Sequence, residues 1–183
     1  MDNTAFRSLP GVPRWARWSA HAVALLNVPS GLWRLGLAVG IPFGLAESEL
    51  TAMQTPGWGS LYLVFLTVLS EGLGFLALGL IQQWGETWPR WIPFAGGKPV
   101  DAAKVVIVSS IGAVGTTVYG GLYVYTTFNA EMAGAPWANP LINVIYLPLL
   151  AWGPLLAAVT WHYHRRTSRS VPVPDQAPLA RLD

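Results

Sequence analysis

Four stretches of this chain are long, apolar and almost free of charge, which leaves very few folds open to it. A helix crossing a bilayer needs about 20 mostly apolar residues. The segments of about 18–46, 59–84, 105–128 and 141–163 meet that requirement. Arg34 alone interrupts the first and Glu71 alone the second, while the third and fourth carry no charge. Surface helices of a soluble domain show one polar face, and these do not. Composition agrees, with 11% charged residues against the roughly 25% usual in soluble domains. The expected fold is all-α: a polytopic membrane protein of four transmembrane helices. Residues 1–17 form an N-terminal segment, 18–163 the bundle, and 164–183 a Pro-rich tail expected to be disordered.

The placement of charge sets an orientation. Arg7, Arg14 and Arg17 precede the first span. Arg90, Lys98 and Lys104 lie between the second and third, and Arg165, Arg166, Arg169 and Arg181 follow the fourth. The other two loops hold Glu47, Glu49 and Glu131 and no basic residue. By the positive-inside rule both termini and the middle loop are cytoplasmic. The expected location is the cell membrane, in multi-pass form. The first apolar segment exceeds the 7–15 residues of a signal-peptide core, so a cleaved leader is not expected.

Several chemistries are excluded or disfavoured. The chain has no cysteine, so disulfides and thiolate ligands are ruled out. A net charge of +2 gives no reason to expect nucleic-acid binding. No phosphate loop, HExxH pair or nucleophile elbow is present. His21 and His162 lie near the same ends of their helices, and His162 and His164 diverge at i,i+2 spacing. Interfacial histidines are expected, with no metal site and no cofactor.

The middle loop reads QQWGETWPRWIPFAGGKPV. Trp84, Trp88 and Trp91 are suited to anchoring at the headgroup level, with substrate gating as the alternative. Trp84-Gly85-Glu86, Pro89-Arg90-Trp91 and Pro93 make a WGExxPRWxP signature. This resembles small four-helix integral membrane proteins of high-GC bacteria, as does WRLGLAVGIPFG, Trp33 to Gly44. The resemblance implies a four-helix membrane bundle. That group has no agreed function, so no functional residue carries over.

Arg34 and Glu71 are the ionisable residues within the spans. Arg34 lies about 16 residues beyond Trp18, or roughly 24 Å along a helix, and Glu71 lies mid-span, so their depths match. One charge at the bilayer centre costs on the order of 3 kcal/mol by insertion scales. A direct Arg34–Glu71 ion pair facing the bundle interior is therefore expected. Helical periodicity puts Asn27, Ser30 and Arg34 on one side of the first span. Thr67, Glu71, Gly74 and Gln82 fall on one side of the second. The pair either fixes helix register or lines a pocket in which Glu71 exchanges a proton.

Other residues bear on packing and on the pocket. Gly36, Gly40 and Gly44 form a small-residue stripe on the first span, and Gly112, Thr116 and Gly120 form another on the third, flanked by Ala113, Thr117 and Gly121. These stripes serve intrachain packing or a homodimer. Pro29, Pro42, Pro148 and Pro154 are placed to kink their spans. Tyr119, Tyr123, Tyr146 and Trp152 are candidate cavity walls, with plain packing as the alternative.

Three functions follow. One is a membrane-embedded enzyme on a prenyl or lipid substrate, working in the style of terpene cyclases by analogy. Glu71 would be its acid, Arg34 the tuner, and aromatic faces would steady a cation. A second is a non-catalytic assembly or accessory subunit. The third is a dimeric proton-coupled transporter, although a fixed Arg34 beside Glu71 opposes easy proton exchange. Expected partners are the bilayer, an apolar small molecule and a second copy of the chain.

Overall fold

A computed structural model of the chain describes residues 8–88, 96–129 and 132–169. Seven α-helices occur there: α1 (Arg14–Leu25), α2 (Val28–Ala38), α3 (Glu47–Ala52), α4 (Trp58–Gly79), α5 (Ala102–Asn129), α6 (Ala138–Tyr146) and α7 (Leu149–Arg169). A short 3₁₀ turn, Gln83–Gly85, follows α4. Among the described residues β-pairing is limited to isolated bridges. Arg7, Pro89-Arg90-Trp91, Pro93, Glu131 and the Pro-rich tail, expected above to set topology or complete the loop motif, lie outside the described residues.

Three stretches are long and apolar enough to cross a membrane: Trp58–Gly79, Ala102–Thr126, and Ala138–Ser168 with its interruption between α6 and α7. Their outer faces suit lipid. Leu61, Tyr62, Phe65 and Val68 of α4 are exposed, as are Ile107, Val108, Ile111, Val114 and Leu122 of α5. An apolar surface of this extent is unstable in water.

The expected single span of about 18–46 is corrected to two short helices. Helix starts earlier, at Arg14, breaks at Leu26–Asn27 and stops at Ala38. Pro29 lacks an N–H, so the carbonyl of Leu25 has no i+4 donor and α1 ends there. Asn27 and Ser30 fill the break: the Ser30 hydroxyl lies 2.9 Å from the Asn27 carbonyl and 3.2 Å from its Oδ1. Gly40, at φ +90°, closes α2. The Ile41 N–H donates to Gly36 O and the Gly40 N–H to Leu37 O, the bonding of a Schellman stop. Gly40 and Gly44 therefore lie in a turn, and the expected Gly36/Gly40/Gly44 helical stripe does not form. Pro148 separates α6 from α7 by the same loss of a donor, whereas Pro154 lies inside α7.

At the start of α5, Asp101 Oδ1 accepts the N–H groups of Lys104 (3.4 Å) and Ala103 (3.0 Å). The Lys104 N–H is the main cause, ahead of that of Ala103, of an Asp101 carboxyl held below its usual range. The third-span stripe packs within the chain. Gly120 lies against Leu149 and Leu150 of α7, and Gly153 of α7 sits on Thr117 and the Ala113 carbonyl.

Contacts gather at two opposite ends of α4. Near its start, α3, which carries Glu47 and Glu49, and the turn before it meet the segment before α6. The Ala46 N–H bonds Ala133 O, the Ala135 N–H bonds Gly44 O, and Glu49 Oε1 accepts the Ala133 N–H at 3.0 Å. Near its end, the Leu9 N–H donates to Ile81 O, and Ser8 bridges Gln82. There Arg166 of α7 donates to Glu86 Oε1 at 2.8 Å and to Leu80 O at 3.4 Å.

Candidate functional site

The candidate site is a polar seam where α2 packs along α4. Arg34 is 6% exposed, Asn27 1% and Ser30 0%, so all three point inward at mid-span. Thr67, also buried, faces them from α4. The Arg34 Nε–H donates to Thr67 Oγ1 at 3.1 Å and the Nη2–H to Ser70 Oγ at 2.9 Å. Each hydroxyl spends its own hydrogen on α4: Thr67 donates to Leu63 O at 2.8 Å and Ser70 to Thr67 O at 3.1 Å. Their lone pairs are thereby turned to the guanidinium. A buried cation is thus matched by two oriented neutral acceptors, each bond to a charged group being worth about 1.5–3 kcal/mol. Arg34 also interacts with the Tyr146 hydroxyl from α6.

The expected direct Arg34–Glu71 ion pair is not formed. No contact within 4.0 Å joins the two among the described residues, although Arg34 acts on Glu71 at longer range. The i,i+3 pair Thr67/Ser70 presents its oxygens to Arg34, and Glu71 lies one residue further round the helix. Its carboxylate sits against Gly31, where an added Cβ would come to 2.8 Å from Glu71 Oε1 and 3.3 Å from Thr67 Cγ2. Glu71 is partly buried, and no hydrogen bond from a described residue reaches it.

The remaining pocket candidates are more dispersed. Tyr123 and Tyr146 stack with ring centroids 5.2 Å apart, and the Tyr123 hydroxyl donates to Asn143 Oδ1 at 3.2 Å. Tyr146 therefore borders the seam, while Tyr123 packs α5 onto α6. Tyr119 is 47% exposed, which removes it as an interior wall. Trp152 is buried in the apolar cluster of α1, α4 and α7. Its Nε1 and the Asn27 Nδ2 are buried without a partner among the described residues. Gln82 lies beyond the end of α4 and accepts the Trp84 indole N–H at 2.6 Å.

The loop tryptophans divide. Trp84 stacks on Phe75 with centroids 5.5 Å apart and rests on Gly79. It is half-buried there, at the end of α4. Trp88 is 40% exposed, and Trp91 lies outside the described residues. Of the histidines, His162 meets the Trp15 ring edge-on at 5.6 Å. His21 donates from Nδ1 to Arg17 O at 2.7 Å.

Two cavities are lined elsewhere. One, of about 410 Å³, lies between α5 and α7 and includes Ser110, Thr117, Thr160, Trp161 and His164. The other, of about 500 Å³, runs along α1. Neither is lined by Arg34 or Glu71. Sequence reasoning missed Ser70 and Gly31. The signal for Ser70 was its i,i+3 spacing from Thr67; Gly31 gave none, because its role appears only once Glu71 is placed. Comparison of the chain with protein-family models, curated proteins and solved structures returns no match.

Proposed function

We propose that the chain is a four-pass protein of the cell membrane with both termini and the middle loop cytoplasmic, and that Glu71 is its working acid. The two-ended contact pattern supports the topology. The acidic turns meet at one end of α4, and the N-terminal segment, the loop after α4 and α7 meet at the other. Together α1 and α2 cover about 25 residues, or roughly 37 Å of helix, sufficient for a fourth crossing. With no native cysteine the chain is suited to single-cysteine labelling. A Cys at Glu49 should react with an impermeant maleimide in intact cells, and one at Lys104 only after lysis. The reverse pattern overturns the orientation.

One observation carries the reading of Glu71. Hydroxyls satisfy Arg34, so the carboxyl beside it remains free to exchange a proton. Intramembrane carboxylates are retained where they have work to do. The reading supported best is protonation of an apolar prenyl or lipid substrate arriving from the bilayer, with Arg34 as a fixed positive neighbour. Lipid extracts from cells expressing the wild type and Glu71→Gln test it. A species converted only with wild type is expected, and identical extracts count against an enzyme.

A second reading, a non-catalytic membrane subunit, is favoured by the bonds from Arg34 to Thr67 and Ser70, which tie α2 to α4. There the seam is an interhelix fastener. Under that reading Glu71→Gln leaves assembly and stability unchanged and Thr67→Val weakens both.

A further inference from the structure

The groove along α1 has no part in the Glu71 seam, and its lining is ordered by chemistry. Ser8, Arg14, Arg17, Trp18, His21 and Leu25 line about 500 Å³. Five of these lie on the exposed face of α1 at i,i+3 and i,i+4 steps, while Ala16, Ala20 and Val23 on its other face are buried. The charged end, Arg14 and Arg17, lies where the chain enters the first span. Leu25 lies 11 residues further on, about 16 Å deeper at 1.5 Å per residue. Headgroup layers are about 5–7 Å thick on each side of the hydrocarbon core. One groove therefore runs from headgroup level into the acyl region.

Its electrostatics are of one sign. Among the described residues, none that lines it is acidic, and neither arginine has an ion-pair partner. The bond from His21 Nδ1 to Arg17 O fixes the ring and turns Nε2 away from the backbone. Ser8, held by its bridge to Gln82, adds a hydroxyl at the charged end. Trp18, 73% exposed, supplies an amphipathic ring at the boundary, where tryptophan prefers to sit.

We propose that this groove is a binding site for an anionic glycerophospholipid. Arg14 and Arg17 would hold its phosphate, with Ser8 and His21 beside it and an acyl chain along Trp18 and Leu25. Guanidinium forks match phosphate oxygens, and the apolar run selects a lipid over a free anion. This reading requires the membrane location but not an acid at Glu71.

The test is native mass spectrometry of the delipidated full chain in detergent, titrated separately with phosphatidylglycerol, phosphatidylcholine and inorganic phosphate. Wild type should retain phosphatidylglycerol about tenfold more strongly than phosphatidylcholine. Arg14→Gln/Arg17→Gln should abolish that preference, with helix content by circular dichroism unchanged. Arg165→Gln, whose guanidinium lies 4.0 Å over the Trp161 ring, is the charge control and should keep it. An equal preference in wild type and the double variant overturns the proposal. So does competition by inorganic phosphate at concentrations equal to the lipid, which would assign the site to a free anion.

Discussion

The α2–α4 and α5–α7 interfaces join helices in opposite ways. Along α5–α7 the helices touch closely at two glycines, with Gly153 seated on Thr117 and the Ala113 carbonyl and Gly120 on Leu149 and Leu150, beside the cavity that Ser110, Thr160 and His164 line. Small residues let the backbones approach, and packing supplies the attraction. Along α2–α4 a buried guanidinium is bonded to two hydroxyls of the facing helix. At these glycines the first interface tolerates no added volume, whereas the second depends on its hydroxyl acceptors. The functional candidate lies in the second, where the polar seam brings the Glu71 carboxyl against Gly31.

The largest expected break comes from volume at the glycines of the α5–α7 interface. A Cβ at Gly153 would lie 2.7 Å from Thr117 N and 2.9 Å from Ala113 O, and backbone atoms cannot yield as side chains do. Gly153→Leu should cost about 3 kcal/mol, the upper end for overpacking. Detergent-mediated unfolding would show it, and wild-type stability would remove the contact. Next, Thr67→Val should cost about 1.5–3 kcal/mol by stripping the acceptor of the Nε–H from Arg34. Valine retains the shape of threonine, so an unchanged midpoint would mean the seam is held by packing alone.

Smaller effects sharpen the contrast at the ends of the helices. Glu86→Gln loses a charge pair with Arg166 that is partly open to solvent, at 39% and 18% side-chain exposure. It should cost at most about 1 kcal/mol and shrink further in high salt, as equilibrium unfolding would report. Gly31→Ala should change stability least, by under about 1 kcal/mol, since its Cβ meets only side-chain ends, Glu71 Oε1 at 2.8 Å and Thr67 Cγ2 at 3.3 Å. It should nonetheless displace that carboxylate, visible as an altered accessibility of Glu71 to a hydrophobic carbodiimide.

The sequence revealed the helices, the matching depths of Arg34 and Glu71, and the inward stripe of Asn27, Ser30 and Arg34, because periodicity and hydropathy report face and depth. It did not reveal which acceptor would take the guanidinium. Thr67, Ser70 and Glu71 all lie within one turn of α4, and only the rotation of that helix decides among them. The charge of Glu71 outweighed two hydroxyls in the reading, yet the hydroxyls were nearer. The break at Asn27 was foreshadowed by Pro29 as a kink. The stop at Ala38 was hidden because Gly36, Gly40 and Gly44 read equally well as a helical stripe, with Pro42 as a kink, until the backbone angles are known.

The most direct measurement is infrared difference spectroscopy of the protein in lipid nanodiscs across a pH titration, on wild type and Glu71→Gln. An acid free to exchange its proton should give a protonated-carboxyl band that titrates in wild type and is missing in the variant, with Arg34→Lys shifting it. Identical spectra at every pH would mean that Glu71 does not exchange a proton, and would leave the seam as a fastener between two helices.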